Sequence, residues 1–178
     1  RDLKGTGIFS GNVPQFDRSK PIWNYHIKHI PEAEKKLLIY YILEKIFEAR
    51  RAEGETPDLL EVVVVDEAHK FIEEDSASIM NRVALEARKF GLALWCSSQS
   101  PEHFSQDFIT SVSTKILLGV DKGLWPKVSQ TWDISKNELS LIVPKETCAI
   151  YMDKSSVANP SFKIMRVGQR LQSVRATV

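Results

Sequence analysis

The chain has 178 residues, 43% of them hydrophobic and 26% charged, with a net charge of +1. This is the balance of one ordinary, well-packed globular domain. It excludes a broad basic field, so any nucleic-acid contact must come from local loops and not from gross charge. The longest apolar run, Leu37 to Leu43, falls well short of the roughly 18 residues that span a bilayer. There is no signal-peptide pattern, internal repeat or low-complexity tract. Cys96 and Cys148 lie far apart, both in apolar strand-like runs. They read as buried, reduced thiols, which fits a cytoplasmic protein.

Residues 1–20 contain Gly5, Gly7, Gly11 and Pro14 and read as loop, with a short strand at Gly7-Ile8-Phe9. Gly5-Thr6-Gly7 lacks a following Gly-Lys-Ser/Thr, so it sets no lysine against a phosphate. From Ile22 to Ile30 the residues alternate, with Trp23, Tyr25 and Ile27 on one side and Asn24, His26 and Lys28 on the other. That pattern predicts a strand, with His26 and His29 on opposite faces and unable to share a metal. Pro31, Glu32 and Glu34 predict the start of a helix running to about Arg51. Its sheet-facing stripe is expected to be Leu37, Leu38, Tyr41, Ile42, Ile46 and Ala49.

After a turn over Gly54 to Asp58 comes the stretch Glu61-Val62-Val63-Val64-Val65-Asp66-Glu67-Ala68-His69. Four consecutive valines do not alternate between wet and dry, so the strand is expected to be buried on both faces, as in a parallel sheet covered by helices. Asp66 and Glu67 follow at its C-terminal end, the edge where open α/β sheets place ligands. They are candidates for a metal and an activated water, with their side chains turned opposite ways if strand geometry continues. A plain reading of the same residues is a buried strand followed by a solvated turn.

Beyond the acidic loop Glu73-Glu74-Asp75, Ser76 is placed to cap a helix with Ile79, Met80, Val83, Ala84, Ala87 and Phe90 on one face. Gly91 is expected to end it. Leu92 to Cys96 forms the next strand and exits through Ser97-Ser98-Gln99-Ser100-Pro101. A short helix near Gln106 to Val112 precedes a third such strand, Thr114 to Val120. Alternating strands and helices from Trp23 to Val120 predict right-handed crossovers and a mostly parallel, three-layer α/β sheet. Trp125–Trp132 and Lys136–Ile142 look helical. Glu146–Met152 and Phe162–Val167 read as an antiparallel strand pair, and residues 168–178 as a tail.

Gln99 lies at the exit of the strand beside the acids, where its amide could bond a phosphate or a water; it could equally be a solvated loop residue. Arg88 and Lys89 suit a helix C-terminus by charge alone. His69 completes an Asp-Glu-Ala-His string and can be structural or catalytic. The apolar run ending in Asp66-Glu67 resembles the Walker B motif of P-loop ATPases. The unit from Glu86 through Arg88-Lys89-Phe90-Gly91 to Ser98-Gln99-Ser100-Pro101 resembles the HerA/FtsK group of those ATPases, in particular its HerA-like branch. The resemblance covers roughly Trp23 to Val167.

That resemblance implies a RecA-like core, ATP with Mg²⁺, hexameric rings, and double-stranded DNA that is pumped or unwound, with a nuclease or other component of the same system as partner. It makes Asp66 the Mg²⁺ ligand through water, Glu67 the base, Gln99 the sensor and Arg88 an arginine acting on a neighbouring subunit's nucleotide. One departure is large: the 178 residues contain no G-x-x-x-x-G-K-[ST], which the family carries ahead of this segment. The chain also begins at Arg1. The chain is therefore either a degenerate relative or, as the start at Arg1 favours, the C-terminal part of a RecA-like domain, with a core at 22–121, helices and edge strands at 122–167 and a tail at 168–178. It is expected to be inactive alone. Two other readings stand beside this one: a non-catalytic RecA-like scaffold, and a small doubly wound enzyme using Asp66 and Glu67 for other phosphate chemistry.

Overall fold

Proline at 31 has no N–H to leave unsatisfied, and its carbonyl accepts from the N–H groups of Glu34 (3.0 Å) and Lys35 (2.9 Å), starting helix α1 over Glu32–Glu53. Glu32 and Glu34 sit in the first turn and Arg50 and Arg51 in the last, each on the end where the helix dipole favours its sign. The computed structural model describes residues 20–72, 78–153 and 161–168. The chain divides into two compact units, Arg1–Lys35 and Lys36–Val178. In the first, the alternating segment at 22–30 is not a strand; it runs as coil into a turn closed by Ile30 N–H on Ile27 O at 3.1 Å. Alternation supplies two faces, but a strand also needs a ladder partner, and this segment has none among the described residues. The Gly7–Phe9 strand and the Gly5–Gly7 loop lie outside the described residues.

In the second unit, α1 faces the core through a different stripe from the one its spacing suggests. Leu43 and Phe47 are fully buried, with Ile39, Tyr40 and Ile46 packed beside them, whereas Leu37 and Tyr41 are exposed. The helix is apolar on two adjoining stripes, so periodicity alone does not choose between them. The stripe carrying Phe47 buries the larger side chain, worth about 1.5–3 kcal/mol, and its ring meets Phe90 edge-on at 6.0 Å.

Strand β1 (Thr56–Val65) pairs in parallel with β2 (Phe90–Cys96), in the register Val63↔Leu94, Val64↔Trp95 and Val65↔Cys96. Val63, Val65, Leu94 and Cys96 pack with α1 and with α2 (Ile79–Glu86). The other face is open: Val64 is 66% exposed, Trp95 62% and Val62 38%. The expected burial of the valine run on both sides is therefore met on one side only within the described residues. Helix α2 is capped by Ser78, whose Oγ accepts from Asn81 N–H; Ser76 and the acidic loop lie outside the described residues. A short 3₁₀ turn, Ala87–Lys89, leads from α2 into β2.

Gly91 belongs to β2 and is no helix cap. Its φ is +71°, and an added Cβ would stand 2.6 Å from the carbonyl oxygen of Asp58. Glycine is needed here on both counts.

After α3 (Gln106–Ser111), capped by Ser105, strand β3 (Thr114–Leu117) departs from the expected parallel order. It pairs antiparallel with β4 (Thr147–Met152), which pairs antiparallel with β5 (Lys163–Arg166). The fold is thus mixed α/β, with a parallel two-stranded sheet and an antiparallel three-stranded sheet. The predicted antiparallel pair is present, and β3 extends it to three strands. Val128 of helix α4 (Trp125–Trp132) and Leu139 of α5 (Lys136–Ser140), with Ile134 between them, share its core with Leu117 and Ala149 of the sheet. Ser135 and Glu138 form a capping box at the start of α5. On β3, Lys115 lies 4.5 Å over the Tyr151 ring; burial lowers its pKa, and Asp153 and Asp133 oppose that shift.

Replacing Gly91 by alanine is expected to cost about 2 kcal/mol or more, from the left-handed backbone and the clash together. Urea unfolding of Gly91→Ala and of Gly54→Ala as a comparison checks this. Gly54 is also at positive φ, +97°, but has open space around it, so it isolates the backbone cost from the clash.

Candidate active site

The ladder between the two parallel strands does not stop where the strands end. Ser97 N–H donates to Val65 O at 3.1 Å, and Ala68 N–H donates to Ser97 O at 2.9 Å. The loops after β1 and β2 are thereby stitched together, and the polar residues on both are held at one edge. Ala68 is fully buried and anchors the turn. Its carbonyl accepts from the N–H groups of Phe71 and Ile72, and the Tyr40 hydroxyl of α1 donates to Phe71 O at 2.6 Å.

Asp66 and Glu67 do not continue the strand. Glu67 has φ 52° and ψ 39°, the left-handed region, which costs a residue with a Cβ about 1–2 kcal/mol. Asp66 Oδ1 accepts from the Glu67 N–H at 3.1 Å and from the Ser97 hydroxyl. Glu67 Oε1 accepts from Gln99 Nε2 at 2.8 Å, and its Oε2 lies 3.7 Å from His69 Nδ1. The two acids and Gln99 are therefore brought together, as the sequence suggests. The arrangement differs in that Gln99 holds the carboxylate itself.

Arg88 is not part of this cluster. It is exposed in the 3₁₀ turn before β2, and the seven residues of β2, at roughly 3.3 Å each, set it roughly 20 Å or more from the strand exits.

Three residues that sequence reasoning did not assign join the cluster, Ser97, Ser98 and His103, and His69, left open between a structural and a catalytic role, joins through its contacts. Ser98 Oγ lies 3.1 Å from His69 Nδ1 and 2.8 Å from His103 Nδ1. The two imidazoles lie with centroids 4.1 Å apart. Ser97 was discoverable from the register, since Val65↔Cys96 puts Asp66 opposite Ser97, but the register is not written in either strand alone. Cys96, just before Ser97, is half-buried and its thiol is pushed up to about 12 by burial. It stays protonated through neutral pH and is no nucleophile.

Asp66 can serve a divalent cation. One carboxylate oxygen of this exposed residue is spent on Ser97 and the Glu67 N–H, which fixes the group and leaves Oδ2 for a cation. No set of three or more His, Cys, Asp and Glu side chains suited to a metal occurs among the described residues. A cation on Asp66 would therefore take its remaining ligands from water or a bound molecule and not from an all-protein cage of described residues.

No family model matches the chain. Its sequence is 41% identical over 63 residues to the DNA double-strand break repair helicase HerA of Pyrococcus furiosus, covering 33% of this chain and 11% of the helicase. The probable HerA of Methanocaldococcus jannaschii is 40% identical over 63 residues, again 33% of this chain and 12% of the relative. The chain is HerA/FtsK-like. A probable helicase of Methanocaldococcus jannaschii is 26% identical over 130 residues, 66% of this chain and 25% of the relative. The HerA/FtsK-like chain thus spans a quarter or less of the curated relatives it matches.

Among solved structures, the genome packaging NTPase B204 of Sulfolobus turreted icosahedral virus 2, in complex with ATP-gammaS, aligns at 19% identity and TM-score 0.49, covering 70% of this chain and 60% of that one. A bacterial conjugative coupling protein aligns at 17% identity and TM-score 0.45, over 76% of this chain and 30% of that one. No helix among the described residues is long and apolar enough to cross a membrane.

Two outcomes follow for the HerA/FtsK-like chain. Glu67→Gly is expected to leave stability unchanged or raise it by up to about 1 kcal/mol, because glycine relieves the left-handed backbone. A clear fall in the urea midpoint would mean that the carboxylate contacts hold the turn. In a Cys148→Ser background at pH 8, Cys96 is expected to react with Ellman's reagent on the order of 10³-fold more slowly folded than unfolded, from the thiolate fractions alone.

Proposed function

We propose that this chain is the hydrolytic, C-terminal portion of a RecA-like domain in an ATP-driven DNA translocase or helicase, working as a hexameric ring on double-stranded DNA in the cytoplasm. The observation that carries the reading is the convergence of Asp66, Glu67, Ser97 and Gln99 at the C-terminal ends of two parallel strands. On this reading Asp66 and Glu67 are the Walker B acids. Asp66, held by Ser97, takes the water shell of Mg²⁺, which when bound would neutralise phosphate charge. Glu67 accepts a hydrogen bond from the attacking water and takes up its proton. Gln99, already bonded to Glu67, fixes the plane of that carboxylate and reports on the γ-phosphate by exchanging that bond for one to a phosphate oxygen.

Arg88, exposed and far from its own chain's acids, serves on this reading a nucleotide bound by the next subunit of a ring. The phosphate cradle has to come from outside these 178 residues, since none of them forms a Gly-Lys-Ser/Thr loop. That same lack is the observation favouring the second reading, a non-catalytic scaffold. The two part on nucleotide turnover by the complete protein that carries this chain. Mg²⁺-dependent phosphate release is expected there and none from the 178 residues alone. Glu67→Gln is expected to lower kcat about 10²-fold or more while ATP still binds, the scale of a lost general base. An unaffected Glu67→Gln protein would remove Glu67 from the chemistry, and nucleotide binding without any turnover in the parent would favour the scaffold.

A further inference from the structure

The Ser98 hydroxyl has one proton and two imidazole nitrogens to satisfy: His69 Nδ1 at 3.1 Å and His103 Nδ1 at 2.8 Å. A hydroxyl donates once and accepts on its lone pairs. With both rings neutral, Ser98 can donate to at most one Nδ1, so at least one ring must carry its proton on Nδ1; the Ser98 proton then goes to the other Nδ1, the acceptor within its reach among the described residues, which sets the two histidines in opposite tautomers. Glu67 decides which is which. Its Oε2 stands 3.7 Å from His69 Nδ1, too far for a hydrogen bond but close enough that a lone pair there would face the carboxylate's charge and a proton would be drawn to it.

We infer that Ser98 and His103 are positioning residues for Glu67: they fix His69 as the Nδ1–H tautomer, and His69 steers one oxygen of the Glu67 carboxylate while Gln99 binds the other. The inference rests on the role proposed for Glu67 above. The order is directional. His69 Nδ1–H donates to Ser98 Oγ and leans towards Glu67 Oε2, Ser98 O–H donates to the bare Nδ1 of His103, and His103 keeps its proton on Nε2. Tautomer selection through the second nitrogen's partner is how imidazoles at sites are generally oriented. Here the selection is made by a serine caught between two rings whose centroids are 4.1 Å apart.

The arrangement also accounts for the backbone. Glu67 sits on a left-handed turn, and among the described residues its carboxylate has one strong bond, from Gln99. A single bond at Oε1 leaves the group free to swing about it, and a polarised N–H near Oε2 biases that swing by charge. His103 enters from the turn Pro101–His103, whose start is set by Ser100 accepting from Glu102 N–H. The loop after β2 thus contributes Gln99 to one side of Glu67 and, through Ser98 and His103, the polarity of His69 to the other.

The test has two independent readouts. In the 178-residue chain labelled with ¹⁵N-histidine, long-range ¹H–¹⁵N spectra are expected to give His69 as the Nδ1–H tautomer and His103 as Nε2–H. Ser98→Ala is expected to release His69 to the ordinary Nε2–H-rich mixture, and Ser98→Thr to retain the native pattern. Finding both rings in the Nε2–H form in the unsubstituted chain overturns the inference whatever the activity.

In the complete protein, Ser98→Ala is expected to lower kcat about 10-fold with KM for ATP unchanged, the rate equivalent of one lost hydrogen bond. Ser98→Thr is expected to restore it. His103→Ala is expected to match Ser98→Ala, and the double variant to be no worse than either, because the residues act as one unit. An inactive Glu67→Gln protein alongside a fully active Ser98→Ala protein sinks the positioning role alone. A fully active Glu67→Gln protein sinks the role of Glu67 and this inference with it.

Discussion

The arrangement at the strand exits depends on two backbone hydrogen bonds that carry the parallel ladder past the last residues of its strands: Ser97 to Val65, and Ala68 to Ser97. Parallel pairing normally leaves its C-terminal ends to diverge into separate loops. Here the two loops remain at ladder spacing for another residue each, and that is what puts Ser97 beside Asp66 and Gln99 beside Glu67. Exposed side-chain hydrogen bonds contribute little free energy by themselves. They keep their geometry because the backbone beneath them is already fixed, with Ala68 buried and Tyr40 bonded to Phe71.

Much of the local structure was legible in the sequence, and for physical reasons. Pro31 with Glu32 and Glu34 marks the start of α1, the apolar spacing marks α4, and the valine and Leu92–Cys96 runs mark β1 and β2. These are signals a residue carries by itself or with neighbours a turn away. What was not legible depends on partners distant in sequence. Trp23 to Lys28 alternate as a strand would, yet extended chain becomes strand only beside another. Thr114 to Leu117 read as one more parallel strand because they follow a helix, but their ladder is with Thr147 to Met152, on the far side of α4 and α5. Even the buried stripe of α1 was ambiguous, since two stripes satisfy the helical period and only the packing of Phe47 distinguishes them.

The candidate site divides along the same line. Asp66, Glu67 and Gln99 were found because acids after a valine run and an amide at the next strand's exit are local patterns. Ser97, Ser98 and His103 were missed because serines and a histidine in a loop carry no pattern of their own. Their roles exist only once Val65 is opposite Cys96. The open face of the parallel pair, Val62, Val64 and Trp95, is the reverse case. There the sequence states a demand for burial that the described residues do not meet, and a solvent-facing patch of this kind is unusual for a sheet complete in itself.

The left-handed turn at Glu67 connects these observations. Had the strand continued, Asp66 and Glu67 would have pointed to opposite faces of the sheet, one towards the buried side carrying Val65 and the other towards the open side. Only one of them could then have met the loop after β2. The left-handed residue breaks the alternation, so both carboxylates reach that loop, Asp66 at Ser97 and Glu67 at Gln99, two residues apart on the neighbouring chain segment. The conformational cost of about 1–2 kcal/mol is set against a gain that is geometric and not energetic, for these contacts are exposed and individually weak. A fold shaped by stability alone would place glycine at this position, as it does at Gly91. On the proposed reading, a glutamate stands there for what its carboxylate does, with Gln99 bonded to one oxygen and His69 near the other.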